Sequence, residues 1–182
     1  AQESRGLGDV YKRQPLTDAL SLYAIELIAN NLVSVYNGTG NKKEWENITM
    51  ASTIGGMVIN TAGVTLAHGM EHPASGLKNI VHGQGLAALT PVVIDASYKG
   101  DEEKFGNIAK IFGGKSAADC ADKIRELLKA IDLECKLSDL GIAEEDIPWM
   151  AENCMKVSAA GVANNPVVFT QEEIAEIYRK AL

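Results

Sequence analysis

Three histidines, His68, His72 and His82, fall within fifteen positions of a 182-residue sequence that contains no others. Imidazole ligates transition metals and also gains or loses a proton near neutral pH, so such a cluster points to metal or proton-transfer chemistry. His68 and His72 are four apart, which on a helix puts both side chains on one face, a turn apart. His82 lies ten positions further on. Between them, Pro73, Ser75 and Gly76 allow a kink or turn that folds His82 back onto the first helix. A single histidine is ordinarily a surface or hydrogen-bonded residue. Three gathered in one apolar helical stretch suggest a site.

Two local readings of the cluster compete. His68-Gly69-Met70-Glu71-His72 fits the inverted zinc-peptidase pattern H-x-x-E-H, in which two histidines hold zinc and the glutamate polarises the attacking water. That chemistry needs a third, acidic ligand on a later helix. Glu144, Glu145 and Glu152 are candidates without distinctive placement, and His82 is left without a role. The other reading makes His82 part of the site and seats it at the start of the next helix.

The elements that must position these residues are helical. After Pro15 and the start signal Thr17-Asp18, apolar and small residues recur at steps of three and four through Leu20, Ala24, Leu27, Ile28, Asn31, Leu32 and Val35. Asn37-Gly38-Thr39-Gly40 stops this helix. A second helix is expected from near Lys42 through Trp45, Ile48, Met50 and Ala51, continuing past Asn60 and Gly63 towards His68. Gly55 and Gly56 inside it weaken a helix by about 1 kcal/mol each relative to Ala. Close approach to neighbouring helices would offset that loss, placing this helix in the middle of the domain. Another runs from Gly83 to Tyr98. Further on, Ser116-x-x-Asp119 opens a helix with Ala121, Ile124, Leu127, Leu128 and Ile131, and Thr170-x-x-Glu173 opens the last with Ile174, Ile177, Tyr178 and Leu182. No segment alternates with period two, and no G-x-G-x-x-G or G-x-x-x-x-G-K motif is present. The expectation is an all-α fold forming one domain over residues 15–182. The first fourteen residues, AQESRGLGDVYKRQ, show no periodicity, and GLGDVYKRQ resembles translated adapter sequence, so they read as extraneous.

Composition narrows the function. A net charge of -7 without a basic run argues against nucleic acid as a partner. No apolar run of about 20 uncharged residues is evident, so no membrane span is expected. Cys120, Cys135 and Cys154 are odd in number and form no C-x-x-C pair, which suits reduced, mostly buried thiols in a cytoplasmic protein.

The segment from Asn60 to Pro91, NTAGVTLAHGMEHPASGLKNIVHGQGLAALTP, resembles the metal-binding segment of the iron-containing alcohol dehydrogenase family. The family pattern is N-x-x-G-x-x-x-x-H-x-x-x-H-x-x-(S/G)-G, then H-G and a Leu-Ala-rich helix ending at Pro. PLTDALSLYAIELIANNL and NPVVFTQEEIAEIYRKAL resemble the helix after the family's first ligand pair and its C-terminus, so the likeness covers residues 15–182. Met70-Glu71-His72-Pro73 and Gly83-x-Gly85-Leu86-Ala87 look most like the butanol-dehydrogenase-like branch.

This resemblance implies a multi-helix bundle of the dehydroquinate-synthase-like, iron alcohol dehydrogenase C-terminal type. His68 and His82 become metal ligands for Fe(II) or Zn(II). His72 becomes the catalytic proton-relay residue beside substrate and nicotinamide, and Glu71 a polar residue able to steady a ligand imidazole. The family's other two ligands, an Asp and a His at D-x-x-x-H spacing, belong upstream of Pro15, where this sequence has no histidine. The domain that mainly binds NAD or NADP belongs there too. The resemblance therefore implies a fragment, inactive alone, of a homo-oligomeric enzyme acting on a small alcohol or aldehyde. A zinc metallohydrolase using His68, Glu71 and His72, and a non-catalytic helical interaction domain, remain the alternatives at this point.

Overall fold

A computed structural model describes residues 15–182 of the protein, so the adapter-like segment lies outside the described residues. Among them every regular element is a helix and no strand occurs. The chain divides into two compact units, one ending at Gly63 and the other Val64–Leu182.

In the first unit, α1 (Pro15–Tyr36) and α2 (Lys42–Ala62) form a helical hairpin across a short connection. Its core is small: Ala24, Ala51 and Ile54 are buried, with Leu20, Leu27, Ile28 and Val58 packed against them. A polar clasp supplements it. The buried Asn31 donates its amide to the Leu27 carbonyl at 2.6 Å and accepts from Asn47 at 3.1 Å. Asn41 caps α2 by accepting from the Lys43 and Glu44 backbone, and Glu44 accepts in return from Asn41 N at 2.8 Å. The Glu44 carboxylate also accepts from Ser34 on α1 at 2.6 Å. These bonds, that from Ser34 first, hold its carboxyl below the usual carboxylate range.

Three expectations about this unit need correction. Helix α2 does not run on to His68: Gly63 takes φ +74°, which an L side chain rarely adopts, and donates its N–H to Ile59 to close the helix. Gly55 and Gly56 are not points of close approach, because a Cβ built on either meets nothing within 4 Å. Finally, α1 is long and apolar enough to cross a membrane by length and composition alone, with a mean hydropathy of 1.3 over its most apolar window. Asp18 and Glu26 interrupt the run that the eye seeks, but two charges do not outweigh the many Leu, Ile and Ala residues around them.

The second unit contains α3 (Leu66–Lys78), α4 (His82–Ser97), α5 (Glu102–Ile111), α6 (Cys120–Ala130), α7 (Ile147–Val157), the short α8 (Ala159–Ala163) and α9 (Gln171–Ala181). Helix α3 packs on α4, α7 and α8, while α9 packs on α7 and α4. Leu66, Met70, Leu89, Leu137, Ile147, Met150, Ile174 and Tyr178 are fully buried between them. Tyr178 joins the last helix to the one that carries His68 and His72, donating its hydroxyl to the Met70 carbonyl at 2.5 Å. Burial pushes that hydroxyl well above the usual tyrosine range, so it stays protonated and a donor. The expected capping boxes are present at Ser116/Asp119 and Thr170/Glu173. At the first of these a single 3-10 turn precedes α6. Cys120 and Cys154 are buried and Cys135 partly so, none in a disulfide. Burial raises the first two thiols to about 11 and about 12.

The bend expected over Pro73 to Gly76 lies elsewhere. Pro73 is buried inside α3, and the helix continues to Lys78. The reversal comes at Asn79, whose φ of +53° is the left-handed conformation that Asn tolerates better than most residues.

Candidate metal centre

All three histidines belong to the second unit and sit where α3 turns into α4. His68, Glu71, His72 and Ser75 occupy adjacent turns of α3. Asn79 to Val81 reverse the chain, so that His82, the first residue of α4, comes back over the same helix. The ring centroids of His68 and His82 are 5.3 Å apart. Those of His72 and His82 are 6.0 Å apart, and those of His68 and His72 6.4 Å. His68 is half-buried, while His72 and His82 are exposed.

Beneath the rings lies a buried carboxylate. Glu71 is 0% exposed, yet both of its oxygens are engaged. Oε2 is hydrogen-bonded to Nδ1 of His82, and Oε1 accepts from the Ser75 hydroxyl, which also lies 3.0 Å from the Ile80 carbonyl. Desolvation, then the neighbouring imidazoles of His82 and His72, hold His68 below the usual histidine range. His68 is therefore neutral at pH 7, as an imidazole ligand must be.

With metal–nitrogen bonds of about 2.1 Å, two imidazoles sharing one ion stand about 4.6–5.3 Å apart between centroids. His68 and His82 meet that spacing, and both distances from His72 exceed it. A ligand imidazole whose second nitrogen donates to a carboxylate is the usual arrangement around such ions. Iron and zinc both accept imidazole nitrogen. Among the described residues no third His, Cys, Asp or Glu completes a group of three that could hold a metal ion.

The peptidase-like reading fails on the same geometry. Its two ligands would be the most widely separated pair of rings, and its glutamate would have to face water, whereas Glu71 is wholly enclosed. Glu144, Glu145 and Glu152 supply no third ligand, since no such group forms among the described residues.

Ser75 and Gly85 are parts of the site that sequence reading did not assign. Ser75 stood only as a bend residue, although Glu71 and Ser75 are four apart and share a helix face. Gly85 is buried on α4, and a Cβ there would lie 2.8 Å from both Cγ and Oε1 of Glu71.

Residues 10–182 match the model of the Fe-containing alcohol dehydrogenase family, C-terminal. The chain is 38% identical over 175 residues to a 1,3-propanediol dehydrogenase of Citrobacter freundii, covering 92% of this chain and 45% of that protein. It is 32% identical over 174 residues to the lactaldehyde reductase of Escherichia coli strain K12, covering 91% and 44%. Among solved structures, a 1,3-propanediol oxidoreductase superposes with a TM-score of 0.85 at 34% identity, covering 96% of this chain and 49% of that one. The chain thus spans about half the length of these relatives.

Proposed function

The chain belongs to the iron-containing alcohol dehydrogenase family, and from that membership we propose that it is the metal-binding part of an NAD(P)-linked oxidoreductase interconverting a small alcohol and its aldehyde or ketone. His68 and His82 hold a divalent ion, Fe(II) or Zn(II), and His72 carries the proton. The pairing of His68 with His82, at 5.3 Å and with His82 anchored below, is the observation that supports this most directly. The 1,3-propanediol dehydrogenase and lactaldehyde reductase relatives favour a short, oxygen-rich substrate. In this reading NAD or NADP and the remaining metal ligands are held by residues outside this chain. The complete enzyme is a homo-oligomer, and its free thiols suit the cytoplasm.

When bound, the ion supplies positive charge that favours the alkoxide form of an alcohol. The remaining work falls to side chains. His68, neutral at pH 7, keeps a ring lone pair available without first losing a proton. His72 stands beside the pair and faces solvent, so its ring nitrogen can accept the alcohol's proton and release it to water.

Cobalt(II) absorption titration of the purified 182-residue chain tests the assignment. His68→Ala and His82→Ala are each expected to weaken binding about tenfold or more, and His72→Ala to change it less than about twofold. Equal loss from all three substitutions would instead make His72 a ligand. The chain alone is expected to form no NAD(P)H from 1,3-propanediol. Formation would refute the view that groups outside this chain are needed.

A further inference from the structure

The most unusual group near the histidines is a carboxylate with no access to water. Glu71 is 0% exposed, has no Lys or Arg partner among the described residues, and spends its two oxygens on Ser75 and His82. Burying a carboxylate without compensating hydrogen bonds is costly, so space and partners must both be provided. Space comes from α4: Gly85 lies directly over the Glu71 side chain, and any Cβ there would enter within 2.8 Å of Cγ and Oε1. Partners come from opposite sides. Ser75, one turn along α3, satisfies Oε1, and the Ile80 carbonyl lies within 3.0 Å of the same hydroxyl.

We infer that Glu71, Ser75 and Gly85 form a seat that fixes His82 in one tautomer. A carboxylate has no proton to give, so the proton between Oε2 and Nδ1 belongs to the ring. With Nδ1 protonated, the free lone pair of neutral His82 is on Nε2, at the far side of the ring from Glu71. Glu71 and Gly85 act as one device. The carboxylate orients the ring, and the missing side chain at position 85 lets the carboxylate stand beneath it. Glu71 is thus a positioning residue, and Gly85 leaves the space in which it stands. Only the effect on metal affinity rests on the proposed function; the choice of tautomer does not.

Long-range 15N–1H correlation spectra of the 182-residue chain, labelled at histidine nitrogen and free of metal, read the tautomer directly. His82 should show the Nδ1–H pattern at pH 8. Glu71→Met, which keeps bulk but removes the acceptor, should shift His82 toward the Nε2–H form and leave His68 and His72 unchanged. Gly85→Ala should do the same by displacing the carboxylate. In a Glu71→Met background, Gly85→Ala should add nothing. Should Glu71→Met fail to fold by circular dichroism, Gly85→Ala carries the test alone. An unchanged His82 tautomer in either folded variant overturns the proposal. Cobalt(II) affinity is then expected to fall about 10- to 100-fold in both single variants. A tautomer shift with unchanged cobalt binding would uphold the seat and instead remove His82 from the metal reading.

Discussion

The α1–α2 hairpin and the unit of residues 64–182 are both helical, yet they are held together differently. The largest fully buried side chains all belong to residues 64–182. There Leu66, Met70, Met150, Ile174 and Tyr178 interlock across helices far apart in sequence. The hairpin buries Ala24, Ala51 and Ile54 and relies on hydrogen bonds such as Asn31 to Asn47 and Ser34 to Glu44. All three histidines lie on the interlocked side. The two imidazoles proposed to share one ion need a scaffold with little freedom, and Tyr178, more than a hundred residues away, secures the backbone at Met70 between His68 and His72.

That contrast breaks most readily at its largest members. Tyr178→Ala is expected to lower stability by about 3–5 kcal/mol, as for other buried aromatics, measured by urea unfolding of the whole chain. Ile54→Ala, in the thin hairpin core, should cost nearer about 2 kcal/mol. Equal values would mean that the hairpin is packed as tightly as the rest. Next in size comes the clasp. Asn31→Ala strands the Asn47 amide and should cost about 1–2 kcal/mol, whereas the double change Asn31→Leu with Asn47→Leu should recover most of that loss. If the double variant is as unstable as the single, the clasp is not what holds α1 to α2.

The same contrast explains what could be read from sequence. Helix α1, both S/T-x-x-D/E caps and the start of α4 follow local rules of period and capping, and the structure has them where those rules put them. The break at Gly63 was hidden because three glycines along α2 look alike in sequence, and only one of them adopts positive φ. Likewise Pro73 signals a bend to any local rule, but its burial in α3 keeps the helix running until Asn79. At the site, the three histidines and their spacing were visible from residue types. The seat under His82 was not, because Gly85 matters only through what α3 presents to it.

A smaller effect of opposite sign sharpens the picture of the hairpin. Gly55 and Gly56 lie inside α2 with open space where a Cβ would go. Alanine there removes unfolded-state freedom at no steric expense, so Gly55→Ala and Gly56→Ala should each raise stability by about 0.5–1 kcal/mol. Thermal melts of the single variants check this. Destabilisation by either would show that the glycines meet a neighbour in solution.

The smallest expected effect concerns acid, and here the two units should behave alike. Glu44 in the hairpin and Asp119 and Asp146 in the other unit each accept backbone N–H bonds at the start of a helix, and each is held below the usual carboxylate range. In Glu44 the Ser34 hydroxyl contributes most, whereas in Asp119 and Asp146 the backbone bonds from Lys115 and Ala143 come first. A folded-state pKa below the unfolded one, about 4.3 for Glu and 3.9 for Asp, means that the unfolded chain binds protons first as pH drops. The stabilisation is therefore complete above those values and is lost as pH falls through the lower folded-state pKa. All three carboxylates are only partly buried and remain open to water, which keeps each contribution modest. Urea unfolding between pH 6 and pH 2 should show a decline beginning near pH 4, made shallower by Glu44→Gln and by Asp119→Asn to similar degrees. A cap depends on its own turn rather than on the core behind it. If only the Asp119 change flattened the curve, the hairpin would be melting before its cap could titrate.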